Sequence, residues 1–203
     1  MGAVVALDRL LETRRVWRGR QQSEPVAKQP TGHAVLDTLL PGGGWQLASL
    51  NEILLGAPGS GELQLLWPLL ARLTQAGERV VLVGAPAIPF APAWQAAGVV
   101  LAQVSLLQVS GAERLWAAEQ CLRSGSCGAV LCWPEQADDR ALRRLQVAAD
   151  SGQTLAFVLR DRLAADNPSP AALRLLQERE PQRWRVLKCR GGVAPAQPVS
   201  ISQ

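Results

Sequence analysis

The sequence predicts an α/β domain with a mainly parallel sheet flanked by helices. Three observations carry that expectation. Apolar runs at Leu50–Leu55, Val80–Val83, Val104–Val109, Ala129–Trp133 and Leu155–Leu159 are continuous rather than alternating. Continuous runs suit strands buried on both faces of a parallel sheet. Helical patterns at Leu63–Ala76, Pro92–Ala97, Ala112–Arg123 and Asp138–Asp150 separate them, as crossover connections require. A glycine-rich turn, GAPGSGEL from Gly56 to Leu63, follows the first run and opens the first of these helices.

In chain order, residues 4 to 18 place Val4, Leu7, Leu10, Leu11 and Trp17 at near-helical spacing. Arginines fill the other side, so residues 1–20 read as a basic amphipathic helix. The polar, proline-containing stretch 21–30 reads as a linker. Residues 31–192 form the body, closed by the alternating run Trp184–Cys189 as a candidate C-terminal edge strand. The remainder, 193–203, reads as a flexible tail.

Composition narrows the function classes. The 203 residues suit one domain, and a hydrophobic fraction of 48% can build a core. No apolar run reaches the roughly 18 residues of a membrane span, and no secretory signal opens the chain, so a cytoplasmic protein is expected. Cys121, Cys127, Cys132 and Cys189 share no C-x-x-C spacing, and His33 is the only histidine. Reduced thiols are therefore expected, with no metal, no cofactor and no Ser-His or Cys-His chemistry. Net charge is +4 and the excess lies at the ends, in Arg14, Arg15, Arg18 and Arg20 and in Arg183, Arg185, Lys188 and Arg190. Basic ends suit nucleic acid, an acidic protein partner, or a merely solvated surface.

The turn at residues 56–63 has the glycine frame of a phosphate-binding loop, G-x-x-x-x-G-K-[ST], through Gly56 and Gly61. Gly59 adds backbone freedom, and a helix N-terminus follows. The position of the phosphate-binding lysine holds Glu62, and that of the magnesium-holding hydroxyl holds Leu63. Two unit negative charges about 4 Å apart repel by roughly 4 kcal/mol at an effective dielectric of 20. Tight ATP binding is not expected of this loop. On its own the pattern also fits a plain strand-to-helix turn.

The wider sequence resembles RecA-type recombinases. TGHAVLDTLLPGGGW (Thr31–Trp45), the strand and GAPGSGEL resemble the approach to their phosphate loop. RVVLVGAPAIPFAPAWQAAGV, SGSCGAVLCWPEQ and QTLAFVLR follow in the corresponding order. The resemblance covers about residues 31 to 160 and implies a RecA-like core of the P-loop NTPase type. In that alignment the catalytic glutamate falls at Pro86 and the metal-supporting aspartate at Trp133. Neither side chain can activate water or hold a metal, so a retained fold without ATPase activity is expected, and no enzyme.

Two related families fit, ImuA and SulA. WQAAGV, CLRSGSCGAVLCW and LRRLQVAADSGQTLAFVLR resemble both. The basic N-terminal segment, LDTLLPGGGW (Leu36–Trp45) and WRVLKCRGG (Trp184–Gly192) resemble ImuA. That resemblance implies a non-catalytic accessory of damage-induced (SOS) translesion DNA synthesis. Its partners would be an ImuB-type polymerase-like protein and an error-prone polymerase subunit, with RecA and DNA as further candidates. The SulA alternative implies a cell-division inhibitor that binds FtsZ. The candidate contact residues are Arg14, Arg15, Trp17, Arg18 and Arg20, and Arg183, Trp184, Arg185, Lys188 and Arg190. Trp17 and Trp184 are expected as exposed anchors, and Trp67 and Trp116 as core.

Overall fold

A computed structural model describes residues 29–57, 59–180 and 182–201. The amphipathic segment with Arg14, Arg15, Trp17, Arg18 and Arg20 lies outside the described residues. The chain forms α1 (Ala34–Leu39), β1 (Leu50–Leu55), α2 (Glu62–Gln75), β2 (Val80–Val83), α3 (Ala91–Ala96), β3 (Val104–Leu107) and α4 (Glu113–Arg123). It continues through β4 (Ala129–Cys132), α5 (Asp139–Ser151), β5 (Leu155–Asp161), β6 (Leu173–Gln177), β7 (Arg183–Cys189) and β8 (Val199–Ser200).

These strands make one sheet in the order β3-β2-β4-β5-β1-β6-β7-β8. Every neighbouring pair from β3 to β6 is parallel, and β7 and β8 add antiparallel to the β6 side. The parallel part is sandwiched. Ile53, Leu82, Leu131 and Phe157 meet α1, α2 and α3 through Leu36, Leu69 and Trp94. Val81, Val130, Ala156 and Val158 on the other face meet α4 and α5. Double-sided burial is why these strands carry apolar residues at successive positions rather than alternate ones.

Helix α2 buries Leu65, Leu66, Leu69, Leu70 and Leu73 along one stripe. At about 1.5–3 kcal/mol per buried side chain, the stripe contributes roughly 7–15 kcal/mol as an upper figure. Pro68 interrupts its hydrogen-bond ladder, since proline has no N–H to donate. Beside it, the buried His33 ring donates from Nε2 to the Leu65 carbonyl at 3.1 Å. The lone histidine is thus a packing residue. Helix α5 starts cleanly because the Asp138 carboxylate accepts from Ala141 N–H at 2.7 Å, a side-chain N-cap.

Five features differ from the sequence expectation. Helix α1 and strand β6 were not anticipated, and β7 lies inside the sheet rather than at its edge. The stretch expected as a flexible tail carries β8, with Val199 and Ile201 buried in the core. Trp116, expected in the core, is 61% exposed on α4, whereas Trp67 stacks edge-on against Trp94.

Candidate functional site

Strand β1 lies between β5 and β6, so its C-terminal end opens the glycine-rich turn near the middle of the eight-stranded sheet. Gly56 and Gly59 are exposed and Gly61 half-buried. Gly59 and Gly61 take φ of 78° and 103°, left-handed values that a side chain would strain. They let the backbone curl so that the Gly59 amide faces the start of α2. Glu62, the first residue of α2, then turns its side chain back into the curl, and Gly59 N–H donates to its Oε1 at 3.0 Å.

Glu62 is only 3% exposed, and its second oxygen, Oε2, is buried with no hydrogen-bond partner. The acid therefore occupies the glycine turn from within. Gln177 at the end of β6 clamps the same turn: Ser60 Oγ donates to its Oε1 at 2.5 Å, and its Nε2 donates to the Ser60 carbonyl at 2.7 Å. Leu63 packs against the core instead of facing the turn. Pro86 is exposed in the loop after β2. Trp133, just after β4, is buried with its indole N–H unpaired.

On the opposite face of β1, Glu52 is 0% exposed and sits laterally between Val158 of β5 and Arg174 of β6. It accepts from Arg160 Nη1 at 2.6 Å and from Arg174 Nε. The free arms of these guanidinium groups donate to main-chain carbonyls. Arg160 reaches Ala137 at 2.7 Å, and Arg174 reaches Ala164 at 2.9 Å and Ala165 at 3.0 Å. An Arg–Glu–Arg group thus ties β5, β1 and β6 to the loop that follows β4 and the turn that follows β5. A cleft of about 420 Å³ opens there, lined by Glu135, Asp138, Arg160, Asp161 and Leu163 among others. Sequence reasoning missed this group and Gln177. Its only signal was a charge inside an apolar run, at Glu52 and at Arg174.

The C-terminal basic residues do not form a free patch. Arg183 pairs with Glu180 and Arg185 with Glu178, each at 2.6 Å. Lys188 donates to the Ser169 carbonyl at 2.8 Å and Arg190 to that of Pro170 at 2.9 Å. Burial, followed by the neighbouring charge of Arg190, pulls the Lys188 ammonium below its ordinary pKa. Trp184, expected as an exposed anchor, is 0% exposed and belongs to the core. Alternation along β7 explains the correction: it sends Trp184 and Val186 inward and leaves Arg183 and Arg185 on the other face.

Among the described residues, no cluster of three His, Cys, Asp or Glu side chains could hold a metal ion. Nor is any described helix long and apolar enough to cross a membrane.

A family model described as "Cell division inhibitor SulA" matches residues 50–156. That stretch is more than half of the chain and runs from β1 into the start of β5. The chain belongs to the SulA family. A solved structure described as SulA from Pseudomonas aeruginosa is 30% identical, covering 55% of this chain and 96% of that one, with a TM-score of 0.47. No curated protein matches. The SulA-family stretch contains the stoppered turn, α2 and Trp133. Residues 29–49 and the strands β6 to β8, with Arg174 and Gln177, lie outside it.

Proposed function

We propose that this SulA-family chain is a non-catalytic adaptor with a RecA-like core, acting through protein contacts as an ImuA-type accessory of damage-induced translesion synthesis. One observation carries the non-catalytic part: Glu62 satisfies the glycine-rich turn from within. A parallel sheet with a glycine turn at the C-terminal end of a central strand is the arrangement that nucleotide-binding α/β folds use. Here that turn holds a carboxylate, and Pro86 and Trp133 replace the acids that would activate water and support magnesium. Calorimetric titration with ATP and magnesium tests this. Heat fitting a micromolar dissociation constant would reject the reading.

The ImuA-type role is supported by segments outside the family match. Leu36–Trp45 joins the core through Leu36, Leu40 and Trp45, and Trp184–Gly192 supplies most of β7. These are stretches whose sequence resembles ImuA, and here they are integral to the fold. The partners on this reading are an ImuB-type polymerase-like protein and its error-prone polymerase subunit, in the cytoplasm. The family match itself favours a second reading, a cell-division inhibitor that captures FtsZ. Overexpression and deletion separate them. An inhibitor produces filamentous cells when overexpressed. A translesion accessory leaves septation intact, and its deletion lowers damage-induced mutagenesis.

A further inference from the structure

The turn that reads as a phosphate loop is not empty in this chain. Its curl is set by left-handed Gly59 and Gly61, and it leads into the fourteen-residue helix α2, long enough to carry a dipole at its N-terminus. An inward-facing amide at such a place attracts an oxyanion. Gly59 N–H already has one, the Glu62 carboxylate at 3.0 Å. The second oxygen of that carboxylate is buried and receives no hydrogen bond from any described group. A carboxylate held this way loses hydration on one oxygen without full replacement. It stays because Gly59 N–H, the helix end and the Gln177 clamp on Ser60 hold the turn closed around it.

We propose that Glu62 is an internal pseudo-ligand, occupying a latent oxyanion site that becomes able to bind inorganic phosphate once the carboxylate is removed. The proposal rests on reading the glycine-rich turn as a former phosphate nest. It adds that the curl at Gly59 and Gly61 is kept and that its loss of function is reversible at one side chain. In the native chain the carboxylate excludes phosphate twice, by volume and by charge. Shortening Glu62 to alanine removes both obstacles and leaves the Gly59 N–H without an acceptor. The neutral Glu62→Gln side chain still offers an oxygen to Gly59, so it keeps the site filled. Glu62→Lys removes the anion and supplies a cation.

The test uses the full chain and inorganic phosphate at constant ionic strength, with chloride as the reference. Backbone amide signals of Gly59, Ser60 and Gly61 are followed by NMR, and binding is quantified by equilibrium dialysis. Phosphate is expected to shift these amides in Glu62→Ala and Glu62→Lys, with affinity at least ten-fold above that of the native chain and of Glu62→Gln. Two substitutions are used so that the result stands on whichever folds natively. Equal phosphate affinity in the native chain and the substituted chains overturns the proposal, and so does a shift confined to residues away from the turn. ATP titration of the native chain reads the non-catalytic assignment separately. A native chain that binds ATP defeats that assignment, whereas an Ala or Lys chain that gains no phosphate defeats only the pseudo-ligand.

Discussion

Replacing Glu52 with glutamine should be the most destabilising single change on the α5 face of the sheet. The native carboxylate, 0% exposed, offsets two guanidinium groups whose side chains are 10% and 9% exposed. Glutamine keeps the shape but leaves Arg160 and Arg174 as two buried cations with carbonyls for partners. Breaking a buried ion pair by removing one partner costs about 3–5 kcal/mol, a large part of the roughly 5–15 kcal/mol that holds a typical domain together. With a urea m-value of about 2 kcal/mol/M, the midpoint should fall by about 1.5–2.5 M. Equilibrium urea unfolding followed by tryptophan fluorescence measures this. The double substitution E52Q/R174M should lose less than the sum of the two single changes, because it removes one of the uncompensated cations. It should still fall below native, since the Ala164 and Ala165 carbonyls lose charged donors at about 1–3 kcal/mol each. A loss below about 1 kcal/mol for Glu52→Gln, or strict additivity in the cycle, would refute the idea that the carboxylate neutralises both arginines.

Three further outcomes are expected. Trp184→Ala should cost about 3–5 kcal/mol, as for other buried tryptophans, whereas the exposed Trp116→Ala should stay within about 0.5 kcal/mol, both read from denaturation midpoints. Ending the chain before Val199 should cost several kcal/mol, because Val199 and Ile201 are core side chains worth about 1.5–3 kcal/mol each; an unchanged melting curve would restore the flexible-tail reading. Burial pushes the Cys132 thiol up to about 12, above its ordinary value of 9.0. The unfolded chain therefore loses that proton first, so this stability is intact below about pH 9 and is lost as pH rises towards 12. Cys132→Ala should flatten the stability profile across that window.

Most of the parallel sheet was legible in the sequence because burial on both faces writes itself as unbroken apolar runs. Leu50–Leu55 and Val80–Val83 coincide with β1 and β2. Strand β6 was not legible. Arg174 breaks its apolar run, and the acid that makes that arginine acceptable is Glu52, far away in the chain and adjacent only in the sheet. Trp116 and Trp184 were misjudged for a related reason. Both stand among charged residues, and nothing local tells which face of α4 or β7 the rest of the fold will cover.

The residues by themselves determined that the glycine frame at 56–61 carries an acid and a leucine where phosphate chemistry needs a lysine and a hydroxyl. That is a matter of residue identity at fixed spacing, which no packing can alter. Only the tertiary structure decided where the acid goes. Two left-handed glycines, the start of α2 and a glutamine from β6 bring Glu62 round to its own Gly59 amide. Side-chain direction depends on backbone torsions and on neighbours contributed by distant strands, and these exist only once the sheet has assembled.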